Sequence, residues 1–252
     1  MTWEVDLSGS TALVTGASRG IGRAVTLGLA QAGCDLIGLA RGKQALDDLG
    51  ADVSALGRRF LALPADLGAA GSLEAVAAQA WSWNGGVDVL VNVAGTIVRT
   101  DPPGVTPEDW DQTFAVNVRG PFFLTQAIGA RMLASGGGSI VNLASVAGER
   151  VTRASLSYQA SKAALLQLTR GLAVRWAPAV RVNAVGPGYV RTDFNSAWLD
   201  QPANRDYVVG NTPLGRVGEP ADVVGAVTFL ASPAAAYVTG QHLRVDGGWS
   251  AR

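Results

Sequence analysis

The chain is poor in the residues from which metal centres, disulfides and polycationic surfaces are built. Its 252 residues include one cysteine, Cys34, and one histidine, His242. A single cysteine closes no internal disulfide, and its apolar surroundings point to core packing. With only one histidine beside it, the usual zinc constellations are ruled out, and no metal site is expected. Lysine is almost missing: Lys43 and Lys162 stand against eighteen arginines. Basic and acidic residues balance at twenty each, and no basic block exceeds Arg58-Arg59. That argues against a nucleic-acid partner or an anionic membrane surface. No unbroken apolar run approaches the roughly 20 residues of a membrane span. The opening "MTWEVDLSGS" has no basic-then-apolar leader. A soluble, cytoplasmic protein is expected.

Apolar residues are plentiful at 48 %, enough for a sizeable core. Short β-branched runs alternate with longer helical patterns almost from end to end. The candidate strands are "TALVT" (11–15), "DLIGLA" (35–40), "RFLAL" (59–63), "VDVLVN" (87–92), "SIVNLA" (139–144), "RVNAV" (181–185) and "HLRV" (242–245). Segments such as "GIGRAVTLGLAQAG" and "SLEAVAAQAWSW" lie between them as helices, and another starts at Pro107 with Thr106 as its cap. This alternation predicts an α/β fold, a doubly wound parallel sheet of about seven strands with helices on both faces. Its strands read as nearly continuous apolar runs, as strands covered on both faces should. With no break in composition, 1–252 reads as one domain. The irregular stretch from Gly186 to about Gly218 is too long for a simple connection and predicts a substrate-binding lid within 189–217.

The first strand runs directly into "VTGASRGIGRAV", with glycines at 16, 20 and 22 where strand turns into helix. In a doubly wound fold that turn meets a dinucleotide pyrophosphate at a helix N-terminus. The spacing is G-x-x-x-G-x-G rather than G-x-G-x-x-G, and no G-x-x-x-x-G-K-[ST] is present, so an ATP or GTP loop is not expected. Further on, "LSYQASKAALLQ" places Tyr158 and Lys162 four apart on a helix, where they share one face. A tyrosine and a lysine on a solvated face would look the same. Together with the dinucleotide turn, the pair suggests acid–base chemistry.

"TGASRGIG", "NVAG" (92–95), "NVRG" with Asn117, "NLASVAG" with Ser145, "YQASK" and "VGPGYVRT" occur in the order found in the short-chain dehydrogenase/reductase family, which the whole chain resembles. Within it, "ALGRRFLALPADL", "LAQAGCDLIGLA" and "VDGGWSAR" look most like the 2-keto-3-deoxygluconate 5-dehydrogenase and 2-deoxygluconate 3-dehydrogenase group. The resemblance implies reversible hydride transfer between a nicotinamide and a carbon bearing hydroxyl or carbonyl. It makes Tyr158 the acid–base residue and Lys162 the group that lowers its pKa and holds the nicotinamide ribose. Ser145 would hold the substrate oxygen, and Asn117 a water relaying protons to Lys162. Gly16, Ser18, Arg19, Gly20, Ile21, Gly22, Asp66, Leu67, Asn92, Ala94, Gly95, Pro187, Gly188, Val190 and Thr192 would line the cofactor site. Val93 stands where the family commonly has asparagine. Homotetramers are common in the family.

Where members that use NAD place an aspartate at the end of the second strand, this chain has Ala40 and then Arg41. Arg41 and Arg19 without a carboxylate suit a ribose 2′-phosphate, so NADP(H) is favoured over NAD(H). A sugar-acid carboxylate would need a cation near the reacting carbon; Arg99 and Arg153 are the candidates, with Arg150 behind them. Phe194, Asn195 and Trp198 fall in the expected lid. Two other functions stay open: reduction of a 3-oxoacyl thioester or another carbonyl, and a non-catalytic dinucleotide-binding sensor or scaffold.

Overall fold

The computed structural model describes residues 5–252. Seven strands form one sheet: β1 (Thr11–Thr15), β2 (Asp35–Ala40), β3 (Phe60–Pro64), β4 (Val89–Asn92), β5 (Gly138–Leu143), β6 (Val180–Pro187) and β7 (His242–Val245). Their order is β3-β2-β1-β4-β5-β6-β7, and every pairing is parallel. The expected doubly wound sheet is therefore the observed one. Boundaries move by one or two residues; the fourth strand starts at Val89 rather than Val87, and the sixth runs on to Pro187.

Helices cover both faces: α1 (Gly20–Gln31), α2 (Lys43–Ala55), α3 (Leu73–Trp83), α4 (Pro107–Phe114), α5 (Gly120–Ser135), α6 (Leu156–Trp176), α7 (Ser196–Leu199), α8 (Pro202–Asn211) and α9 (Pro220–Ala231). Strand alternation divides the core in two. Ala12 and Val14 of β1, Leu36 of β2 and Val89 and Val91 of β4 pack with Val25 and Leu29 of α1 and Val223 and Val227 of α9. Leu13, Ile37 and Leu90, one residue out of phase, pack with Ala77 of α3 and Leu124 and Ile128 of α5. Neighbouring positions on one strand thus serve opposite faces, which is why the runs are apolar without gaps. Cys34 is buried in the first of these cores, and burial pushes its thiol up to about 12, so it stays an unreactive packing group.

Three features position the site. Strand order reverses between β1 and β4, opening a crevice at the carboxyl ends of those strands. α4 begins as anticipated, with Thr106 accepting from Asp109 N at 3.1 Å and proline at its first position. It runs into α5 through a π-helical turn, Ala115–Arg119, that contains Asn117. The stretch after β6 is not irregular throughout: it folds α7 and α8, both short. Among the described residues no helix is long and apolar enough to cross a membrane.

Candidate active site

A cavity of about 650 Å³ lies over the carboxyl edge of the sheet at the strand-order reversal. The glycine turn between β1 and α1 forms one wall. Gly16 and Gly20 have φ of +65° and +53°, a region that favours glycine. A Cβ on Gly22 would stand 2.0 Å from the Gly16 carbonyl oxygen, and one on Gly16 2.9 Å from Ala94 Cα. The turn is thus packed hard against "NVAG" at the end of β4, and Gly16, Ser18, Arg19 and Gly20, where α1 begins, line the cavity. This cradle fits a pyrophosphate.

Of the expected cofactor residues, Gly16, Ser18, Arg19, Gly20, Ile21, Gly22, Arg41, Asp66, Leu67, Ala94, Gly95, Pro187, Gly188, Val190 and Thr192 line this cavity, as do Tyr158 and Lys162. Arg19 and Arg41 are exposed at the end where Ala40 closes β2. Asn92 requires a correction: its side chain points into the sheet, where Nδ2 donates to Thr125 Oγ1 at 2.8 Å and to Asn142 Oδ1 at 2.9 Å. It ties β4 to β5 and α5 and does not line the cavity.

At the other end stand Ser145, Tyr158 and Lys162. Ser145 follows β5, and its Oγ accepts from Ala147 N at 3.1 Å, capping a single 3-10 turn, Val146–Gly148. Tyr158 and Lys162 sit in the first two turns of α6, with Lys162 Nζ 5.6 Å from the Tyr158 ring centre. Nζ is buried and donates to Leu143 O at 2.7 Å, and burial lowers its pKa to about 8. Burial pushes the Tyr158 phenol up to about 12, against the pull of Ser145 and the Arg99 charge. Desolvation outweighs both the Ser145 hydrogen bond and the Arg99 charge.

Asn117 lies behind the wall. Its Oδ1 accepts from Thr96 N at 2.7 Å, and its Nδ2 donates to Thr96 O at 2.9 Å and Ser161 Oγ at 3.0 Å. A Cβ on Gly95 would lie 3.5 Å from Asn117 Oδ1 and 3.6 Å from Lys162 Nζ, so the amide and the ammonium approach the same small gap. The π turn that presents Asn117 is a distortion frequent at functional sites.

The two candidate arginines part company. Arg99 lines the cavity, donates to Phe194 O at 3.3 Å and acts electrostatically on Tyr158. Arg153 also lines it, but its guanidinium stacks 3.7 Å from the Tyr207 ring centre and donates to Asn204 Oδ1 at 3.2 Å, both on α8. The guanidinium is engaged by α8, which weakens the expectation that it meets substrate. Arg150 donates to Ser250 O at 3.1 Å. Tyr189, which sequence reasoning passed over inside "PGYVRT", lines the cavity and stacks on Trp198 with ring centres 5.7 Å apart. Phe194, Asn195 and Trp198 line it too, and Phe194 lies 6.1 Å from the Tyr158 ring.

A parallel sheet whose order reverses above a glycine-rich turn defines the dinucleotide-binding α/β class. Residues 16–250 match the family model described as enoyl-(acyl carrier protein) reductase. The 2-dehydro-3-deoxy-D-gluconate 5-dehydrogenase of Escherichia coli is 39 % identical over 250 residues, 98 % of this chain and 97 % of that one. Galactitol 2-dehydrogenase (L-tagatose-forming) of Cereibacter sphaeroides is 43 % identical over 251 residues, 97 % and 96 % of the two chains. A crystal structure of gluconate 5-dehydrogenase from Burkholderia cenocepacia, in complex with NADP and tartrate, has a TM-score of 0.95 at 34 % identity and covers 99 % of this chain and 98 % of its own. The chain belongs to the short-chain dehydrogenase/reductase family.

Proposed function

We propose that the chain is an NADP(H)-linked oxidoreductase acting on a secondary alcohol or ketone of a sugar acid or related polyol. The observation that carries this is one continuous cavity with a glycine cradle and two arginines at one end and Ser145, Tyr158 and Lys162 at the other. The similar proteins named above act on sugar acids and a hexitol, and one holds NADP.

When bound, the nicotinamide supplies or accepts the hydride. The chain's own residues bind, orient and manage the proton. Ser145 holds the substrate oxygen, and Tyr158 gives it a proton in reduction or takes one in oxidation. Reduction needs the protonated phenol, the form that burial favours. Oxidation needs phenolate: lowering a pKa of about 12 to about 8 takes roughly 5 kcal/mol at about 1.4 kcal/mol per pH unit. Lys162, charged at neutral pH, and the positive nicotinamide ring are the sources of that stabilisation. Asn117 holds a water that connects Lys162 to solvent as a proton relay, and Arg41 with Arg19 holds the 2′-phosphate.

Arg99 is the ligand for a sugar-acid carboxylate. Arg153 instead ties the loop before α6 to α8. We take residues 1–252 as one catalytic unit in which 189–217 closes over the substrate, excluding water. Trp110, Phe123 and Val174, exposed on α4, α5 and α6, suit burial in a cytoplasmic homotetramer, which light scattering would measure.

Turnover of NADPH and NADH against 5-keto and 3-keto sugar acids tests the reading. Arg99→Ala should raise KM for the acid about tenfold and leave KM for L-tagatose, which has no carboxylate, within twofold. Equal effects on both would remove Arg99 from that role. The matching family model's description supports a second reading only as far as a substrate carried as an acyl thioester, reduced at a 3-oxo group or at a conjugated double bond. Turnover of a 3-oxoacyl thioester with none of any keto sugar acid would select it. Cofactor binding with no carbonyl turnover would select the sensor.

A further inference from the structure

His242, the only histidine, is left out of the chemistry above, yet its place is specific. It pairs in register with Ala184 of β6 and so faces α6, beside the small apolar cluster of Ala144, Leu166 and Ala184. Its side chain is 6 % exposed. Nε2 has no hydrogen-bond partner, and a Cβ on Gly186 would fall 1.9 Å from it, so the tip of the ring points directly at the Gly186 backbone that leads to Pro187 and Gly188.

Nδ1 approaches Glu149 Oε1 at 3.0 Å. The contact is short, though bent away from a linear hydrogen bond. Two cations face the same carboxylate: Arg170 of α6 at 3.6 Å and Arg244 of β7 at 3.9 Å. Together these groups hold the Glu149 carboxyl below the usual range, with His242 the largest cause.

Glu149 ends the turn that begins at Ser145. Gly148 N donates to Ser145 O at 3.0 Å and Glu149 N to Val146 O at 3.1 Å. A Cβ on Gly148 would stand 2.9 Å from the Lys162 carbonyl carbon, so this turn rides directly on α6 at the catalytic lysine. One end of the turn is fixed by β5. The other end is held by the Glu149 side chain, by the α6 contact and by Arg150, which donates to Ser250 O at 3.1 Å.

We propose that His242 and Glu149 are a positioning pair, which seats the Ser145 turn against α6 and so aims the Ser145 hydroxyl at the reacting oxygen. The pair touches neither substrate nor cofactor and acts through the turn. The proposal rests on the role read for Ser145. Misplacing a reacting group by an ångström costs up to a hundredfold, so a partly loosened turn should cost about tenfold.

The test uses the full-length enzyme, NADPH and the best keto sugar acid. His242→Leu and Glu149→Ala should each lower kcat about tenfold, with the NADPH Kd within twofold. His242→Asn, whose Nδ2 replaces Nδ1, should recover most of the rate. The double variant His242→Leu/Glu149→Ala should be no slower than the slower single variant. A purely structural pair would lower the melting midpoint and leave kcat per folded enzyme unchanged, and that result overturns the proposal, as does multiplication of the two losses. If His242→Leu does not fold, Glu149→Ala, partly exposed and outside the core, decides alone. Ser145→Ala separates the two claims. If it is inactive while His242→Leu and Glu149→Ala run at the wild-type rate, only the positioning pair fails. If it runs at the wild-type rate, the role of Ser145 fails and the pair with it.

Discussion

Replacing Lys162 by methionine separates what the buried ammonium costs the fold from what it contributes to the reaction. Nζ donates to Leu143 O, and no ion pair holds it among the described residues. Burial takes its pKa from an ordinary 10.5 to about 8. At about 1.4 kcal/mol per pH unit, that gap is worth about 3 kcal/mol of desolvation when the group is charged. The folded value lies below the unfolded one, so between about pH 8 and 10.5 the unfolded chain binds more protons and stability rises with pH. Below pH 8 both states are protonated and the full cost is present. At pH 7 the methionine variant escapes that cost but strands Leu143 O, a loss of about 1–3 kcal/mol, so the net change there is small. The pH dependence does not cancel: wild type should gain about 2–3 kcal/mol on the variant between pH 7 and pH 10. Urea unfolding of both at the two pH values measures this, at one protein concentration because assembly would shift the midpoint. NADPH turnover by the variant should fall on the order of a hundredfold. A stability difference that stays constant with pH would refute a charged, desolvated lysine.

Gly22→Ala should raise the NADPH Kd at least tenfold by fluorescence titration. Its Cβ would sit 2.0 Å from a backbone oxygen, so α1 must move off the glycine turn by an ångström or more. An unchanged Kd would remove the turn as a phosphate cradle. Arg41→Ala should raise KM for NADPH about tenfold while KM for NADH stays within twofold, since only the 2′-phosphate is lost as a partner. Equal changes for both cofactors would place Arg41 elsewhere.

Much of this architecture could be read from residue order because local and global signals agree. Strands buried on two faces show as unbroken apolar runs, and Gly16 and Gly20 mark a turn whose positive φ few other residues accept. Tyr158 and Lys162 were legible because helical spacing puts them on one face and the ordered family motifs around them give the pair its role. Other features depend on tertiary contacts that spacing does not encode. Asn92 ends a strand, and whether it faces cavity or sheet is set by the pleat and by Thr125 and Asn142. Arg153 turns to α8 because of Asn204 and Tyr207, some fifty residues on. α7 and α8 are too short for periodicity to reveal, and packing rather than propensity holds helices of that length. His242 sits in a strand pattern that gives it no evident role; only its approach to Glu149 distinguishes it.

The central claim is that Tyr158 moves the proton in an NADP(H)-linked carbonyl reduction. Its most direct test is the decay of NADPH absorbance with a 5-keto sugar acid, run on wild type and Tyr158→Phe, which keeps the ring and removes the hydroxyl. Turnover by wild type, with loss of three or more orders of magnitude in the variant and an unchanged NADPH Kd, is the predicted result. Comparable turnover by both proteins would contradict it.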